Sequence, residues 1–257
     1  MKLILLLTFI VFSSFSQNIL NPEKVNSIEV DIFDNIYILS SKNNIKKYIN
    51  DSNNILEYTN LEYGEITKII TENPFRVIIF FKDNQNIVFL DKNLNELIYK
   101  INLNNLFDEK IVDISNYSNL LFFLSEINEI FIYDITRNEI INSKKLSLIN
   151  QSRSIKIFSN NNKIFIVGNS FKKILNHELN YIFDEKNQGD KNVNKLIFDE
   201  NKIYECSKDE GKTTIFKLDD SFKKSKIKSI NDSIFNIRKN MIITINKGIL
   251  EQHPINN

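Results

Sequence analysis

The run Asp91-Lys92-Asn93-Leu94-Asn95 carries oxygen-bearing side chains at alternate positions, as in the first half of a calcium-binding loop. Its sixth position is Glu96 where such a loop needs Gly, and its twelfth is Asn102 where a bidentate Glu belongs. The segment therefore reads as a turn. His177 and His253 each lack a companion at ligand spacing, and a zinc site needs three or four ligands. Cys206 is the single cysteine, so the chain has no internal disulfide. Its setting, Ile203-Tyr204-Glu205-Cys206, alternates like a strand and supplies no base to activate a thiolate, so a small buried residue is expected. No Gly-rich phosphate loop and no Gly-x-Ser-x-Gly elbow is present. Neither a catalytic set, a metal site nor a cofactor is expected. Lysines cluster at Lys172-Lys173 and at Lys223-Lys224, Lys226 and Lys228. They read as a solvated rim, with contact to an anionic glycan or lipid headgroup as the alternative. Asn73-Pro74-Phe75-Arg76 sets an aromatic and a cation at a tight turn. Pro74 cannot donate to a strand ladder and so marks the turn, while Phe75 and Arg76 could also bind a partner.

These residues need a scaffold, and composition bounds it. The 257 residues include 33 Lys+Arg and 32 Asp+Glu, a net charge of +1. That balance excludes bulk attraction to nucleic acid or an anionic membrane as the main business. A hydrophobic content of 42% is enough for a sizeable core.

The N-terminus has the pattern of an export signal. Met1 and Lys2 precede an apolar run from Leu3 to Phe12, broken only by Thr8, and Ser14-Phe15-Ser16 supplies small residues before Gln17. Residues 1–16 are expected to be a signal peptide and 17–257 a single mature domain. The run is about half of the ~20 residues that span a bilayer. The mature chain is thus expected to act outside the cytoplasm (periplasmic, cell-surface or secreted) without spanning a membrane.

The remainder is organised by a repeat. Two apolar strands separated by a polar turn, then an Asp or Asn, recur with anchors at Ile36, Ile78, Leu121, Ile164, Ile203 and Ile242, spaced 42, 43, 43, 39 and 39 residues. A preceding strand ends near Val30, Ile70, Ile114, Ile157, Ile197 and Ile237, with spacings of 40, 44, 43, 40 and 40. A more polar strand follows each of the first five pairs. The apolar runs are short, rich in Ile and Phe, and bounded by Asn, Asp, Ser and Lys, which marks strands rather than helices. Leu97–Phe107 could pass for a short helix, but Asn102, Asn104 and Asn105 argue for a loop. Four strands per ~40 residues, repeated, predict an all-β propeller of six four-stranded blades. The last repeat stops after its third strand. Asn18-Ile19-Leu20 echoes the outer-strand sequence Asn54-Ile55-Leu56, so an N-terminal strand is expected to complete the last blade and close the ring.

With Asp34-Asn35-Ile36-Tyr37 and the stretch from Asn73-Pro74-Phe75-Arg76 to Phe89-Leu90-Asp91-Lys92-Asn93-Leu94, the chain resembles six-bladed propellers of the NHL, YVTN and WD40-like superfamily. More narrowly, it resembles a group of uncharacterised secreted bacterial propellers. The blades lack the Gly-His and Trp-Asp marks of WD40 repeats and the Gly-rich turns of NHL repeats, so the resemblance implies a fold and no activity. The expected role is a non-catalytic binding or scaffolding module whose partner is a protein or glycan of the cell envelope. The expected contact surface is the loops joining second to third strands, with Lys82, Asp83, Asn84, Lys208, Asp209 and Glu210 the most polar. The alternative is a cation-dependent hydrolase or lactonase of the six-bladed kind, which would require three or more Asp, Glu or Asn oxygens converging on the axis.

Overall fold

The computed structural model describes residues 17–18, 24–146, 156–168, 171–186, 193–209, 211–231, 234–246 and 249–255. The short strand β1 (Gln17–Asn18) opens the chain. Blade 1 follows as β2 (Val25–Val30), β3 (Ile36–Ser40), β4 (Asn44–Tyr48) and β5 (Ile55–Thr59). Blade 2 is β6 (Lys68–Ile70), β7 (Val77–Phe81), β8 (Asn86–Leu90) and β9 (Glu96–Asn102). Blade 3 is β10 (Ile111–Tyr117), β11 (Leu120–Ser125), β12 (Glu129–Asp134) and β13 (Glu139–Lys145). Blade 4 is β14 (Lys156–Asn160), β15 (Lys163–Gly168), β16 (Phe171–Asn176) and β17 (Tyr181–Lys186). Blade 5 is β18 (Val193–Asp199), β19 (Lys202–Asp209), β20 (Lys212–Leu218) and β21 (Lys224–Ile230). Blade 6 takes β22 (Phe235–Arg238), β23 (Met241–Asn246) and β24 (Ile249–Pro254), and its fourth strand is β1. Each blade is a four-stranded antiparallel sheet, so the expected six-bladed propeller is what the chain forms.

The core is divided into six wedges, one between each pair of neighbouring blades. Tyr37 and Ile45 of blade 1 meet Ile79 and Phe81 of blade 2, and equivalent clusters join blades 2 and 3, 3 and 4, 4 and 5, 5 and 6, and 6 and 1. This is why the second strands are densely apolar: every residue of β3 and β7 is buried, since both faces press on a neighbour. The outer β9 exposes all but one residue. Each fully buried Ile or Phe contributes ~1.5–3 kcal/mol. Among the described residues, the wedges between blades 6 and 1 and between blades 4 and 5 are the thinnest, each with five buried hydrophobic residues; those of the former are Ile28, Ile36, Ile38, Ile243 and Leu250.

Turn chemistry explains the recurring Asp or Asn after each third strand. Asp91 Oδ1 accepts from the backbone N–H groups of Asn93 and Asn95, both at 2.8 Å, so the calcium-like run is a turn. Asp219 does the same for Ser221 and Lys223, and Asn176 for Asn180. Leu94, Leu179 and Phe222 follow in left-handed conformation and are buried as plugs at the blade edge. Such bulky residues rarely accept φ near +60°, so burial must offset the strain.

Closure is as expected: Gln17 pairs with Leu250 and Asn18 with Ile249. Ile19, Leu20 and the expected signal peptide at 1–16 lie outside the described residues. The segment Leu97–Phe107 divides between β9 and a 3-10 turn, Leu103–Asn105, capped by the Asn102 side chain.

Two readings need correction. Lys172 and Lys173 are buried, not a solvated rim. Lys172 reaches across to blade 5, where its Nζ lies 3.1 Å from Glu205 Oε2, and Lys173 pairs with Asp184 at 2.6 Å. From the second cluster, Lys224 turns inward and approaches Glu205 Oε1 at 2.6 Å as an ion pair outside hydrogen-bond geometry. Cys206 is buried as expected, and burial pushes its thiol up to about 12. It should therefore resist a thiol reagent in the native protein and react stoichiometrically in denaturant. Rapid native labelling would show that blade 5 opens. Cys206→Ser should fold, at a cost of ~1–3 kcal/mol if the hydroxyl finds no partner.

Candidate functional site

In a four-stranded meander the turns joining strands one to two and three to four share one face of the ring, and the turns joining two to three share the other. On the first face, blades 3 to 6 make minimal turns at 118–119, 161–162, 200–201 and 239–240. Ser118, Asn161, Asn162, Glu200, Lys239 and Asn240 take the left-handed conformations these tight turns need. Blades 1 and 2 depart from this pattern, with longer turns between Val30 and Ile36 and between Ile70 and Val77. Asp31 organises the first: its Oδ1 accepts from Phe33 N (2.9 Å) and Asn35 N (3.0 Å), and its Oδ2 from Asn35 Nδ2 and the Tyr37 hydroxyl. Asn73 organises the second, accepting from Phe75 N through Oδ1 at 3.0 Å and from Arg76 N through its carbonyl at 2.9 Å.

These turns raise apolar side chains into solvent. Phe33 is 51% and Phe75 60% exposed, and the rings meet edge to face with centroids 6.0 Å apart. Arg76 has a structural task instead: Nη1 and Nη2 donate to Asn119 Oδ1 and Ser118 O, clamping blade 2 to blade 3. The aromatic of Asn73-Pro74-Phe75-Arg76 is thus presented outward while its cation is committed.

Two hollows flank the blade 1 turn. One, of about 370 Å3, is bounded by Ile32, Glu72, Asn73, Pro74, Phe75, Asn116, Tyr117 and Ser118. Glu72 is exposed at its edge, and the partial shielding of the surrounding wall raises its carboxyl above the ordinary carboxylate range, against the pull of Lys68. The other, of about 620 Å3, opens between blades 6 and 1, at one of the two thinnest wedges. Tyr48, Met241, Ile243 and Leu250 help form its apolar wall, and Asp34, Arg238 and Lys239 lie on its rim. Asp34 holds the blades together there, paired with Arg238 Nε at 3.2 Å and with Lys239. Both volumes lie in the range of small-ligand sites.

Tyr117 leans on His177, whose ring also meets Phe122. Burial lowers the His177 pKa from its ordinary 6.5, with Glu178 opposing, and Nε2 is buried without a hydrogen-bond partner. A group whose folded pKa is depressed contributes stability above its unfolded pKa and loses it as pH falls. The protein should therefore lose stability as pH falls below 6.5, and His177→Leu should flatten part of that slope in thermal melts from pH 7.5 to 5. Identical slopes would show that the ring titrates freely.

The axis is lined by first strands, with β10 beside β14, β2 beside β22 and β18 beside β22. Their inner edges carry backbone groups with no strand neighbour, and charged side chains satisfy them. Lys68 Nζ donates to Asp113 Oδ1 (2.9 Å) and Ile114 O (2.6 Å), while Asp113 Oδ2 accepts from Ile157 N at 2.9 Å. Lys195 Nζ donates to Glu29 Oε1 at 3.0 Å, and Asn236 Nδ2 to Glu29 Oε2 at 2.9 Å. Burial lowers the Lys156 pKa, Asp113 opposes this, and Lys68 and Lys195 lower it further. Each blade contributes one polar side chain to this set: Glu29, Lys68, Asp113, Lys156, Lys195 and Asn236. Three ammonium groups thus accompany two carboxylates, a donor set unsuited to a cation. Among the described residues, no group of three or more His, Cys, Asp or Glu is placed to hold a metal ion.

The loop residues singled out from sequence lie on the opposite face. Lys82, Asp83 and Asn84 form the turn between β7 and β8, where Asp83 and Asn84 are exposed and Lys82 N donates to Thr67 Oγ1 at 3.2 Å. Lys208 and Asp209 belong to β19 rather than a loop, because the hairpin continues with Lys208 opposite Thr213 and Asp209 opposite Lys212. Glu210 lies outside the described residues. The structure therefore brings Lys82, Asp83 and Asn84 together in blade 2 and Lys208 with Asp209 in blade 5. The axial set was missed, yet it had a signal: each first-strand anchor is preceded, one or two positions earlier, by one of its members.

No protein-family model and no curated protein matches the chain. In fold it is similar to the WD40 domain of Toxoplasma gondii coronin, at 12% identity over 89% of this chain and 68% of that one, with a TM-score of 0.62. It is similar to a chain of the mitotic checkpoint complex at 10% identity over 95% and 94%, with a TM-score of 0.67. It is also similar to virginiamycin B lyase from Staphylococcus aureus at 14% identity over 95% and 89%, with a TM-score of 0.61. At such identities the likeness concerns architecture alone. The chain is a six-bladed β-propeller with WD40-like structural neighbours.

Proposed function

We propose that the protein is an exported, non-catalytic binding or scaffolding propeller of the cell envelope, whose partner is a protein or glycan. The observation that carries this reading is the exposed Phe33–Phe75 pair, lifted by the long first-to-second-strand turns of blades 1 and 2 where blades 3 to 6 make minimal ones. Aromatic side chains in solvent are costly to keep unless something covers them, and they anchor most binding interfaces. The likeness to WD40 propellers fits such a role. The hydrolase or lactonase reading needs axial oxygens open to a cation, but Glu29 and Asp113 are engaged by Lys195 and Lys68. The Lys82, Asp83 and Asn84 turn, with Lys208, Asp209 and Glu210, is the second proposed contact surface, supported by the exposure of Asp83 and Asn84.

Export rests on the Lys2, Leu3–Phe12 and Ser14-Phe15-Ser16 pattern. The narrower resemblance to secreted bacterial propellers, proposed from the sequence, agrees with it. No helix among the described residues is long and apolar enough to cross a membrane. Intact-mass measurement of protein from the envelope fraction should give a chain starting at or near Gln17, and retention of Lys2 would overturn export by cleavage. For binding, tagged protein should retain a defined envelope component in its native host, and Phe33→Ser with Phe75→Ser should abolish that retention. Retention unchanged in the double variant would overturn the aromatic face as the contact.

A further inference from the structure

The smaller hollow contains a carboxylate that the fold does not use. Among the described residues Glu72 makes no hydrogen bond and no ion pair. The cation acting on it is Lys68, which is already held by Asp113 and by the Ile114 carbonyl. Arg76, in the same turn, is directed away to Asn119 and Ser118. The hollow also has aromatic walls, Phe75 and Tyr117, and apolar ones, Ile32 and Pro74. Both rings are braced, Phe75 by Phe33 and Tyr117 by His177.

An unpaired carboxylate beside aromatic walls suits a particular chemistry. A hard metal ion needs six or more oxygens, and this hollow offers one carboxylate and a few amide and hydroxyl groups. An anion would meet Glu72. A neutral apolar group would cover the exposed Glu72 carboxyl without giving it a partner. An organic cation satisfies both features, because its charge pairs with the carboxylate and its alkyl surface and field suit the rings. We propose that this hollow is a recognition site for an organic cation, an alkylammonium or guanidinium group carried by the partner or by a small amine. The proposal deepens the reading that the aromatic-bearing face is the contact surface and supplies the chemistry of what enters it.

The test uses the mature chain, labelled with 15N, titrated at constant ionic strength with tetramethylammonium chloride and separately with N-acetyl-lysine methylamide. Saturable shifts should appear at residues 72–76 and 117–118. Glu72→Gln should weaken binding tenfold or more, and Phe75→Leu by about threefold, the scale of an exposed cation–π contact. Asp220→Asn, in the exposed turn between β20 and β21 of blade 5, should bind like the wild type. Binding of both probes would support recognition of the cationic head alone. Binding of the lysine probe only would support a side chain whose stem lies along Ile32 and Pro74. Absence of saturable shifts with either probe, or unchanged affinity in Glu72→Gln, would overturn the proposal. Partner retention that depends on Phe33 and Phe75 would survive that failure, so the two readings fail separately.

Discussion

Replacing Glu205 by Leu should cost the fold about 3–5 kcal/mol, the scale of breaking a buried ion pair from one side. The Glu205 side chain is fully buried in blade 5, and so is that of Lys172, which approaches from blade 4 at 3.1 Å. Removing the carboxylate takes from the buried Lys172 ammonium the ion pair it makes with Glu205 across the wedge. Lys224 is 17% exposed and can swing outward, so it contributes less. For a domain of this size, each kcal/mol moves the melting temperature by ~2–4 °C, so a fall on the order of 10 °C is expected. Adding Lys172→Met should recover much of it, because an apolar pair in place of a buried ion pair is often neutral or better. Circular-dichroism melts of the single and double variants decide this. A single variant melting within a degree or two of wild type, or a double variant worse than the single, would mean that the pair is not buried as described.

Deleting residues 17–24 should be the second large effect. It removes β1 and with it the pairs Gln17–Leu250 and Asn18–Ile249 that tie the chain start to the last blade. Each backbone hydrogen bond lost costs ~0.5–1.5 kcal/mol net. The loss falls at a wedge with only five buried hydrophobic residues and beside a cleft of about 620 Å3. An open β24 edge also invites aggregation. The expected result is a several-degree fall in melting temperature, earlier hydrogen exchange in β23 and β24 than in β7 and β8, and concentration-dependent association. Removing residues 256–257 should change little, because Ile255 still donates its N–H to Asn240 O at 2.8 Å. A truncated chain that melts like the full mature one would disprove closure through β1.

The architecture was legible because it repeats. A second strand pressed by neighbours on both faces is densely apolar, and a turn that needs a local acceptor carries Asp or Asn, so both signals recur every ~40 residues. The inward turn of Lys172 and Lys173 was not legible, because the carboxylates that receive them, Glu205 and Asp184, are distant in sequence or on an outer strand. The axial set shows the same limit. Lys68, Asp113, Lys195 and Glu29 look like ordinary strand-edge polar residues until the ring brings inner strands side by side. Phe75 was legible as a turn aromatic because Pro74 marks the turn, but Phe33 was hidden for the opposite reason: in a chain with 20 Phe, an aromatic reads first as core, and only the turn length of blade 1 places it in solvent.

The contact face itself can be tested in living cells of the native host. A photoreactive phenylalanine analogue at position 75 on one face, or at position 83 on the other, would be irradiated and its adducts resolved by mass. Binding through the aromatic turns predicts a discrete adduct from position 75 that disappears when Phe33→Ser is added, and none from position 83. An adduct from position 83 with none from position 75 would contradict it and move the contact to the Lys82–Asn84 turn.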